Sequence, residues 1–370
     1  MKLKKILFIP LFIGLTSLTG CNNTTNKVEL KYGQMIDNSI TSINYQSLKE
    51  KFLMKETFMV SVHAQGCACW STFSSILRQY IEENHVQIYE ISYDNLRNGA
   101  GATNDVFGLN IASGTVSFAI VENGEFKYNE VSKKNNNIFK SYEQFKKFMD
   151  ETVSLPKMYY ISLNQVDELF KDEETSLLYF ARSNCSDCNF IQSNVLENYN
   201  FNNNMYILDC ESLDIRQYDD NGNLTSESAL LWQEFKDNYY MSSKNNPTYG
   251  YDTGYVPTLL LLKGNKDTGK PTILSGSVYL NDEIGKNEQG KYYIKNSYYT
   301  EERLSSLSYI NDSIDHKVLK GLEIGSDGVI EYQGNYYWDK EYAKQYHDPL
   351  IKAFLDDSIN KVTHTSFNKD

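Results

Sequence analysis

An internal repeat limits the folds open to this chain more than any other feature of its sequence. A shift of 118 residues places Phe52 on Phe170 and Cys67 on Cys185 without a gap. Further identities under the same shift are Ile43 with Ile161, Glu50 with Glu168 and Glu56-Thr57 with Glu174-Thr175. Because self-similarity at a fixed spacing is typical of duplicated structural units, we expect two copies of one domain.

The two copies predict the same order of secondary structure. Each begins with an amphipathic helix and continues with a buried strand, a short loop that presents a cysteine, and another helix. The first two predicted helices are Tyr45–Met54 and Asn164–Lys171, and the strands are Phe58–Val62 and Leu177–Phe180. Strands that alternate with helices indicate an α/β fold.

A second match between the copies lies further along the chain. Ser113–Phe118 resembles Thr253–Thr258, and an apolar run follows each segment. The shift is 140 residues here, so the second copy is expected to hold about 22 extra residues. We place them in the polar stretch Glu211–Tyr249, which is rich in Asp, Asn and Ser.

The boundary between the copies is expected near Leu155-Pro156. A helix over Tyr142–Thr152 would close the first copy, and Met158–Ser162 would be the first strand of the second. Near the C-terminus, Val329–Trp338 predicts a hairpin and Pro349–Asn360 a final amphipathic helix. The predicted division is residues 1–20 as a signal peptide, 21–36 as a flexible tether, 37–154 as domain 1, and 155–370 as domain 2 with insertions and a tyrosine-rich C-terminal elaboration.

The N-terminus has the pattern of a secretory signal. Three lysines within the first five residues precede the mostly apolar run Ile6–Leu18, which is short for a membrane span. Leu18-Thr19-Gly20-Cys21 resembles the lipobox of bacterial lipoproteins. The resemblance implies cleavage before Cys21, acylation of its sulfur by groups such as palmitate, and a lipid anchor in the outer face of the cell membrane.

Charge and composition exclude several function classes. The net charge of −12 argues against nucleic acid as a partner, because phosphate binding needs clustered Lys and Arg. The five histidines do not cluster as a multi-His metal site would. Neither a P-loop nor a dinucleotide fingerprint is present, so no cofactor is indicated.

The second copy carries a dithiol in a distinctive setting. The strand Leu177–Phe180 leads into a polar loop, and Cys185-Ser186-Asp187-Cys188 then opens a helix. Val256-Pro257-Thr258 follows about 70 residues later, directly before four leucines. A cysteine at a helix N-terminus meets unpaired N–H groups and the positive end of the helix dipole, so the pKa of its thiol falls.

This combination of strand, C-x-x-C, helix and downstream V-P-T resembles the thioredoxin superfamily. The resemblance implies two thioredoxin-like domains, each a central mixed sheet flanked by helices. It further implies that Cys185 is the nucleophile, that Cys188 resolves the mixed disulfide, and that Pro257 is cis and places extended backbone beside the sulfurs.

The second copy also departs from the pattern of the superfamily. Asn184 stands where an aromatic residue usually precedes the first cysteine, and Leu178 and Tyr179 provide no buried acid in the preceding strand. The charge of Asp187 between the thiols disfavours a neighbouring thiolate. We therefore expect Cys185 to be less acidic than the reactive thiol of a strong oxidant.

The corresponding site in the first copy is degenerate. Cys67 holds the nucleophile position, but Trp70 stands where the second cysteine would be and Cys69 comes one residue early. A Cys67–Cys69 disulfide would need a non-helical loop, because residues two apart in a helix do not face each other. The proline position falls on Ser117, or on Val116 if the register slips.

Three interpretations of the first copy stay open. It would be an inactive copy kept for packing or partner binding, a second redox site that exchanges electrons with the Cys185/Cys188 pair, or a Cu(I) site formed by Cys67 and Cys69, with His63 as a further ligand. Cys210, at the end of a strand, is expected to be a packed thiol.

The sequence as a whole predicts a membrane-anchored, extracytoplasmic thiol-disulfide oxidoreductase. Its partners would be exported protein substrates or a redox partner protein. The alternatives are a non-catalytic interaction module, favoured by the degenerate first copy and the tyrosine-rich region 280–340, and a Cu(I)-binding chaperone.

Overall fold

The computed structural model describes residues 27–35, 39–100, 105–106, 109–110, 115–134, 137–251, 253–278, 284–286, 292–294, 329–332, 335–338 and 351–367. The predicted signal peptide, Cys21 and most of the tyrosine-rich region 280–340 lie outside these ranges. Within them, none of the helices is both long enough and apolar enough to cross a bilayer.

The first half of the chain alternates strands and helices. In chain order its elements are β1 (Val28–Glu29), β2 (Tyr32–Gln34), β3 (Thr41–Ser42), α1 (Tyr45–Leu53), β4 (Phe58–His63), α2 (Ala68–Asn84), β5 (Ile88–Ser92), α3 (Tyr93–Ala100), β6 (Asp105–Val106), β7 (Leu109–Asn110), β8 (Val116–Glu122), β9 (Glu125–Val131) and α4 (Tyr142–Thr152).

The second half repeats this alternation. Its elements are β10 (Val153–Ser154), β11 (Met158–Tyr160), α5 (Leu163–Lys171), β12 (Thr175–Ala181), α6 (Ser186–Asn194), β13 (Met205–Asp209), α7 (Ser226–Asn238), β14 (Thr258–Lys263), β15 (Thr272–Val278), β16 (Ile284–Lys286), β17 (Tyr292–Ile294), β18 (Val329–Tyr332), β19 (Asn335–Trp338) and α8 (residues 351–359). Short 3₁₀ helices follow α6 and β13, at Leu196–Asn198 and Cys210–Leu213.

The two halves build sheets of the same strand order. The first sheet runs β3-β5-β4-β8-β9, and the second runs β15-β14-β12-β13-β11 with β2 added beyond β11. In both, the first three strands along the chain are parallel and the last two are antiparallel. The predicted fold class of two thioredoxin-like domains, each a mixed sheet flanked by helices, is therefore confirmed.

The sheets are covered on both faces by helices, which explains their apolar sequences. Every residue of β4 is buried, and so are the four leucines of β14. Strands covered on both faces have near-continuous apolar runs instead of alternating ones. In the second half, buried apolar residues divide into one cluster on each face of the sheet.

The last described helix, α8, completes the second core. Ile351, Phe354, Leu355 and Ile359 are buried there and contact the cluster that also contains Cys185 and Cys188. The amphipathic helix predicted at Pro349–Asn360 is thus confirmed, as are the helix at Tyr142–Thr152 and the hairpin within Val329–Trp338.

Residues 21–36 were expected to form a flexible tether, and the structure departs from this expectation in the part that it describes, residues 27–35. β1 pairs with β10, and β2 pairs in parallel with β11 of the second sheet. On its other side β2 contacts the domain that contains the first sheet: the Gln34 N–H donates a hydrogen bond to the carbonyl of His85, directly after α2, at 2.8 Å. A Cβ at Gly33 would overlap that carbonyl and lie 2.6 Å from the ring of Tyr159, so only glycine fits between the two halves.

Candidate functional site

The dithiol lies where β12 ends and α6 begins. Cys185 caps α6 with extended backbone (φ −97°, ψ 122°), and its Sγ accepts a hydrogen bond from the Cys188 N–H at 3.2 Å. The preceding loop is held by a bond from the Cys185 N–H to the Arg182 carbonyl and by one from the Ser183 N–H to the Asp209 carboxylate. Both cysteines are free thiols, 8% and 1% exposed respectively.

The two thiols differ in acidity because the Cys188 thiol donates a hydrogen bond to the Cys185 sulfur. A hydrogen bond from the Cys188 thiol, supported by the Cys188 N–H and the charge of Arg182, lowers the pKa of Cys185 to about 7 against the opposing effects of burial and Asp187. The same hydrogen bond, together with burial, raises the pKa of Cys188. Cys185 therefore becomes the thiolate near neutral pH, while Cys188 keeps its proton.

A pKa of about 7 for Cys185 agrees with the expectation that it is less acidic than the thiol of a strong oxidant. Such oxidants have thiols with a pKa of about 3.5. The charge of Asp187 raises the Cys185 pKa, as the sequence indicated, although it is the smaller of the two opposing effects.

Pro257 lies beside the dithiol. The Val256–Pro257 peptide bond is cis, as the resemblance implies, and the Val256 carbonyl oxygen is 4.0 Å from the Cys185 Sγ. The sheet register produces this proximity: Thr258, the first residue of β14, pairs with Phe180, which is five residues before Cys185. The structure thus brings together Cys185, Cys188 and Pro257, the three residues proposed from the sequence.

Tyr179 is a neighbour of the dithiol that no sequence motif identifies as part of the site. Its ring is fully buried in β12, and its hydroxyl donates to the Cys188 carbonyl at 3.4 Å. It occupies the strand where the superfamily pattern leads one to expect a buried acid. One signal in the sequence could have identified Tyr179: a tyrosine in a buried strand needs a hydrogen-bond partner for its hydroxyl.

A cavity of about 370 Å³ opens next to Cys185, and the residues that form most of its walls are not predicted by any motif of the sequence. Its lining includes three cationic and two aromatic side chains: Arg182, Arg216, Lys236, Trp232 and Tyr255. Arg216, Trp232 and Lys236 belong to the polar stretch Glu211–Tyr249, whose sequence predicts extra length in the second copy but no part of the site. Trp232 and Lys236 lie on α7, and Arg216 lies in the loop before that helix with its guanidinium over the Trp232 ring. No local sequence motif predicts that these residues reach the dithiol.

The first copy presents an oxidised pair at the corresponding place. Cys67 caps α2 with extended backbone (φ −73°, ψ 127°), Cys69 lies in the first turn, and the two form a disulfide with Cα atoms 5.2 Å apart. The non-helical residue that such a bond needs is Cys67 itself, because the helix begins only at Ala68.

Trp70 occupies the place of a second cysteine and contacts His63. The rings of Trp70 and His63 stack in parallel with centroids 4.0 Å apart, and His63 Nε2 is hydrogen-bonded to the carboxylate of Glu90. That hydrogen bond lowers the pKa of Glu90. His63 is therefore held by the packing of the first sheet.

The sheet register decides which residue of the first copy matches Pro257. Ser117 pairs with Val62 as Thr258 pairs with Phe180, so Val116 is the counterpart of Pro257. Of the two alternatives from the sequence, the slipped register is correct. Among the described peptide bonds, Val256–Pro257 is the one in the cis form, so the first copy presents no equivalent loop.

The remaining candidate ligands lie apart from both cysteine pairs. Cys210 is 1% exposed and its pKa is raised by burial, as suits a packed thiol. Within the described ranges, the group of three side chains that could hold a metal is Asp172, Glu174 and His364. His364 there is hydrogen-bonded to the Tyr206 hydroxyl at 2.7 Å, which fixes the C-terminal tail on the second sheet.

Comparison with protein-family models finds no match, and comparison with curated proteins finds none either. Among solved structures, a mutant thioredoxin from Halobacterium salinarum is 12% identical, with 33% of this chain and 98% of that chain covered and a TM-score of 0.24. The zinc-bound form of human ERp44 is also 12% identical, with 65% and 53% covered and a TM-score of 0.23. Thioredoxin from Trichomonas vaginalis is 16% identical, with 31% and 98% covered and a TM-score of 0.23.

The chain spans about half the length of human ERp44, and all three TM-scores are below 0.5. The assignment of class therefore depends on the molecule's own features. Two mixed sheets of one strand order, and a dithiol at the start of a helix beside a cis-proline loop, define a protein of thioredoxin-like fold.

Proposed function

We propose that this chain is a thiol-disulfide oxidoreductase that works through Cys185 and Cys188. The observation that carries the proposal is the asymmetry of the pair: Cys185 caps α6 with its pKa lowered to about 7, while Cys188 is almost fully buried with its pKa raised. A nucleophile that is ionised near neutral pH and a protonated resolving thiol are the two groups that disulfide exchange requires.

The exchange proceeds in two steps when the dithiol is the reductant. The Cys185 thiolate attacks one sulfur of a substrate disulfide; the substrate S–S bond breaks, a mixed disulfide forms, and the other substrate sulfur leaves and takes a proton. Cys188 then gives up its proton and attacks the Cys185 sulfur. The mixed disulfide breaks, the second substrate thiol departs, and a Cys185–Cys188 disulfide remains.

Two electrons pass from the dithiol to the substrate in this sequence, and the reverse sequence oxidises a substrate dithiol. The Cys185–Cys188 disulfide is returned to the dithiol by the thiols of a redox partner protein. The direction of net flow depends on the reduction potential of the pair relative to that partner.

The proposed place of action is the outer face of the cell membrane. The lipobox-like Leu18-Thr19-Gly20-Cys21 supports an acyl anchor at Cys21, and the apolar run before it supports export. Exported proteins carry disulfides that persist in that compartment, and they are the proposed substrates.

The test is the reduction potential of the full chain in detergent, measured by thiol trapping in glutathione and dithiothreitol buffers. A reversible two-electron couple that is lost in both Cys185→Ser and Cys188→Ser is the expected result. The double variant Cys67→Ser/Cys69→Ser is the matched control, and it should keep the couple. If the wild type shows no reversible couple at Cys185 and Cys188, the chain is a binding module instead.

For the first copy we infer a role in packing or partner binding. Trp70 fills the second cysteine position, and Val116 stands in place of the cis-proline. In the disulfide form, neither Cys67 nor Cys69 offers the thiolate that a soft metal such as Cu(I) binds. Stoichiometric Cu(I) binding that disappears in Cys67→Ser/Cys69→Ser would overturn this inference.

A further inference from the structure

The cavity next to Cys185 has a chemical character that disulfide exchange alone does not require. It contacts the nucleophile directly, and its wall includes the Val256 backbone beside which a substrate chain would lie. A side chain close to the reacting sulfur of a substrate would therefore enter this cavity. What the cavity binds determines which substrates the dithiol accepts.

Positive charge predominates in the lining of the cavity. Arg182, Arg216 and Lys236 contribute to its walls, whereas Asp187 is the one acidic residue among the lining side chains. This local excess runs against the chain as a whole, whose net charge is −12. An acidic protein repels acidic partners at long range. Close to the nucleophile, the cationic lining of the cavity instead favours negatively charged groups.

The guanidinium of Arg216 is positioned but incompletely bonded. It lies over the Trp232 ring at 5.1 Å and over Tyr218 at 5.5 Å. Its Nε is buried and has no hydrogen-bond acceptor, and among the described residues no carboxylate forms an ion pair with it. Leaving a buried donor unsatisfied is costly, and a carboxylate can accept two parallel bonds from a guanidinium.

The other two cations are held around the same space. Lys236 is 7% exposed and donates to the Gly254 carbonyl at 2.9 Å, which directs the ammonium group toward the loop before Pro257. Arg182 forms an ion pair with Glu211, in which Nε and the carboxylate oxygen are 3.9 Å apart; this exceeds hydrogen-bond distance, and both atoms are buried without a hydrogen-bond partner. Two buried guanidinium nitrogens beside the cavity, Arg182 Nε and Arg216 Nε, thus lack a hydrogen-bond acceptor.

The cavity belongs to the copy that has the dithiol. Arg216, Trp232 and Lys236 all lie in the segment between β13 and β14, where the second copy is longer than the first. The added segment, with α7 at its centre, thus places cations at the one cysteine pair that is a free dithiol.

We propose that this cavity is a carboxylate-binding subsite, which selects substrates with an Asp or Glu within about two residues of the cysteine under attack. The inference rests on the proposed oxidoreductase function and names its substrate class. Arg216 is the primary partner of the carboxylate. Arg182 and Lys236 add positive charge, and Trp232 fixes the plane of the Arg216 guanidinium.

The test compares three disulfide-linked dimers of a short peptide that differ only in the residue after the cysteine, which is Glu, Gln or Lys. Reduced full-length protein is mixed with each peptide, and the second-order rate of a single turnover is measured by acid quench and alkylation. We expect the order Glu, Gln, Lys, with Glu ahead of Gln by about tenfold, as a charge-assisted hydrogen bond would give. The preference should shrink as ionic strength rises.

The variant Arg216→Gln should lower the ratio of the Glu rate to the Gln rate to near one. Arg78→Gln is the matched control, because it removes the same charge from an exposed position on α2 in the first copy, and it should leave the ratio unchanged. If Arg216→Gln fails to fold, the peptide series and its salt dependence in the wild type still decide the proposal.

The outcomes distinguish a failure of the oxidoreductase function from a failure of the carboxylate-binding subsite. If no peptide is reduced by the wild type, the oxidoreductase function itself fails. If all three peptides are reduced at equal rates, that function stands and the subsite is refuted. Oxidised glutathione is the last probe: if Arg216→Gln slows its reduction while the Glu to Gln ratio of the peptides is unaffected, the carboxylate belongs to a small thiol and the peptide assignment is overturned.

Discussion

At the dithiol, two sulfurs of the same chemistry differ because of where α6 begins. Cys185 lies before the first helical residue, so its sulfur can accept from the Cys188 N–H and from the Cys188 thiol. Cys188 lies one turn inside the helix and is almost fully buried, where a negative charge is costly. One turn of helix is therefore enough to assign the nucleophile and the resolving thiol.

We predict that alkylation of Cys185 by iodoacetamide rises with pH with a midpoint of about 7. Because the charge of Asp187 raises this pKa, Asp187→Asn should move the midpoint downward, by about half a unit to one unit. The measurement is the alkylation rate against pH, followed by mass spectrometry of the peptide that contains Cys185. Asp150→Asn, an exposed position on α4, is the control for loss of one charge. An upward shift in Asp187→Asn would contradict this account.

At the same scale, the sequence identified some site residues and missed others for a physical reason. Cys185, Cys188 and Pro257 belong to short motifs whose chemistry is local, so they could be named without a structure. Lys236 lies on α7 and Arg216 in the loop before it. Both reach the site only through the tertiary packing of the segment between β13 and β14, and their spacing in the sequence carries no such signal. Tyr179 could not be distinguished in the sequence from the other apolar residues of the buried strand β12.

At the level of the elements, the internal repeat predicted most of the helices and strands. The helices and strands of both copies have strong periodicity, so their positions agree with the structure to within a few residues. The register of β8 was harder to predict than its position. The alignment of the two copies places Ser117 at the position of Pro257, with Val116 as the alternative if the register slips, and the structure selects Val116. A slip of one residue reverses which face of the sheet each side chain points to, but it hardly changes a sequence alignment.

The final helix α8 provides a test of the second core. Phe354 is fully buried there, although β15 and α8 are separated by residues 279–350. We predict that Phe354→Ala lowers the free energy of unfolding by about 3–5 kcal/mol, through lost burial and the cavity left behind. Urea denaturation followed by circular dichroism measures the change.

Lys352→Ala is the matched control for this variant, because Lys352 is an exposed residue of the same helix. Its effect should stay within about 0.5 kcal/mol. If Phe354→Ala were as mild as Lys352→Ala, α8 would not belong to the second core.

For the whole molecule, the feature that the sequence did not reveal is β2. Three residues, Tyr32 to Gln34, have too little periodicity to predict a strand, and the surrounding polar residues favoured a tether. Yet β2 extends the second sheet through β11 and touches the first half at His85. The two domains are therefore joined through this strand as well as through the linker near Pro156.

We predict that Gly33→Ala weakens this junction, because the added Cβ would overlap the carbonyl of His85. The cost should be about 1–3 kcal/mol, as for other overpacked contacts. Trp70 and Trp232 lie in different domains, so single-tryptophan forms can report on each domain separately. In urea the two domains should unfold together in the parent protein and at separate midpoints in Gly33→Ala.

Glu29→Ala provides the comparison, because Glu29 lies in the neighbouring strand β1, its side chain is exposed, and the substitution leaves its backbone pairing with Ser154 of β10 intact. It should leave the two midpoints together. Separate midpoints already in the parent protein would show that β2 does not couple the domains.

The ordered position of β1 and β2 also sets how far the molecule can rise above a membrane. With the anchor that we propose at Cys21, only residues 22–27 separate the acyl chains from Val28. A fully extended segment of this length reaches at most about 20–25 Å. The dithiol would then search a thin layer along the bilayer, and its encounters would resemble diffusion in two dimensions: proteins that emerge from or rest on the membrane would meet it far more often than those that diffuse freely beyond that layer.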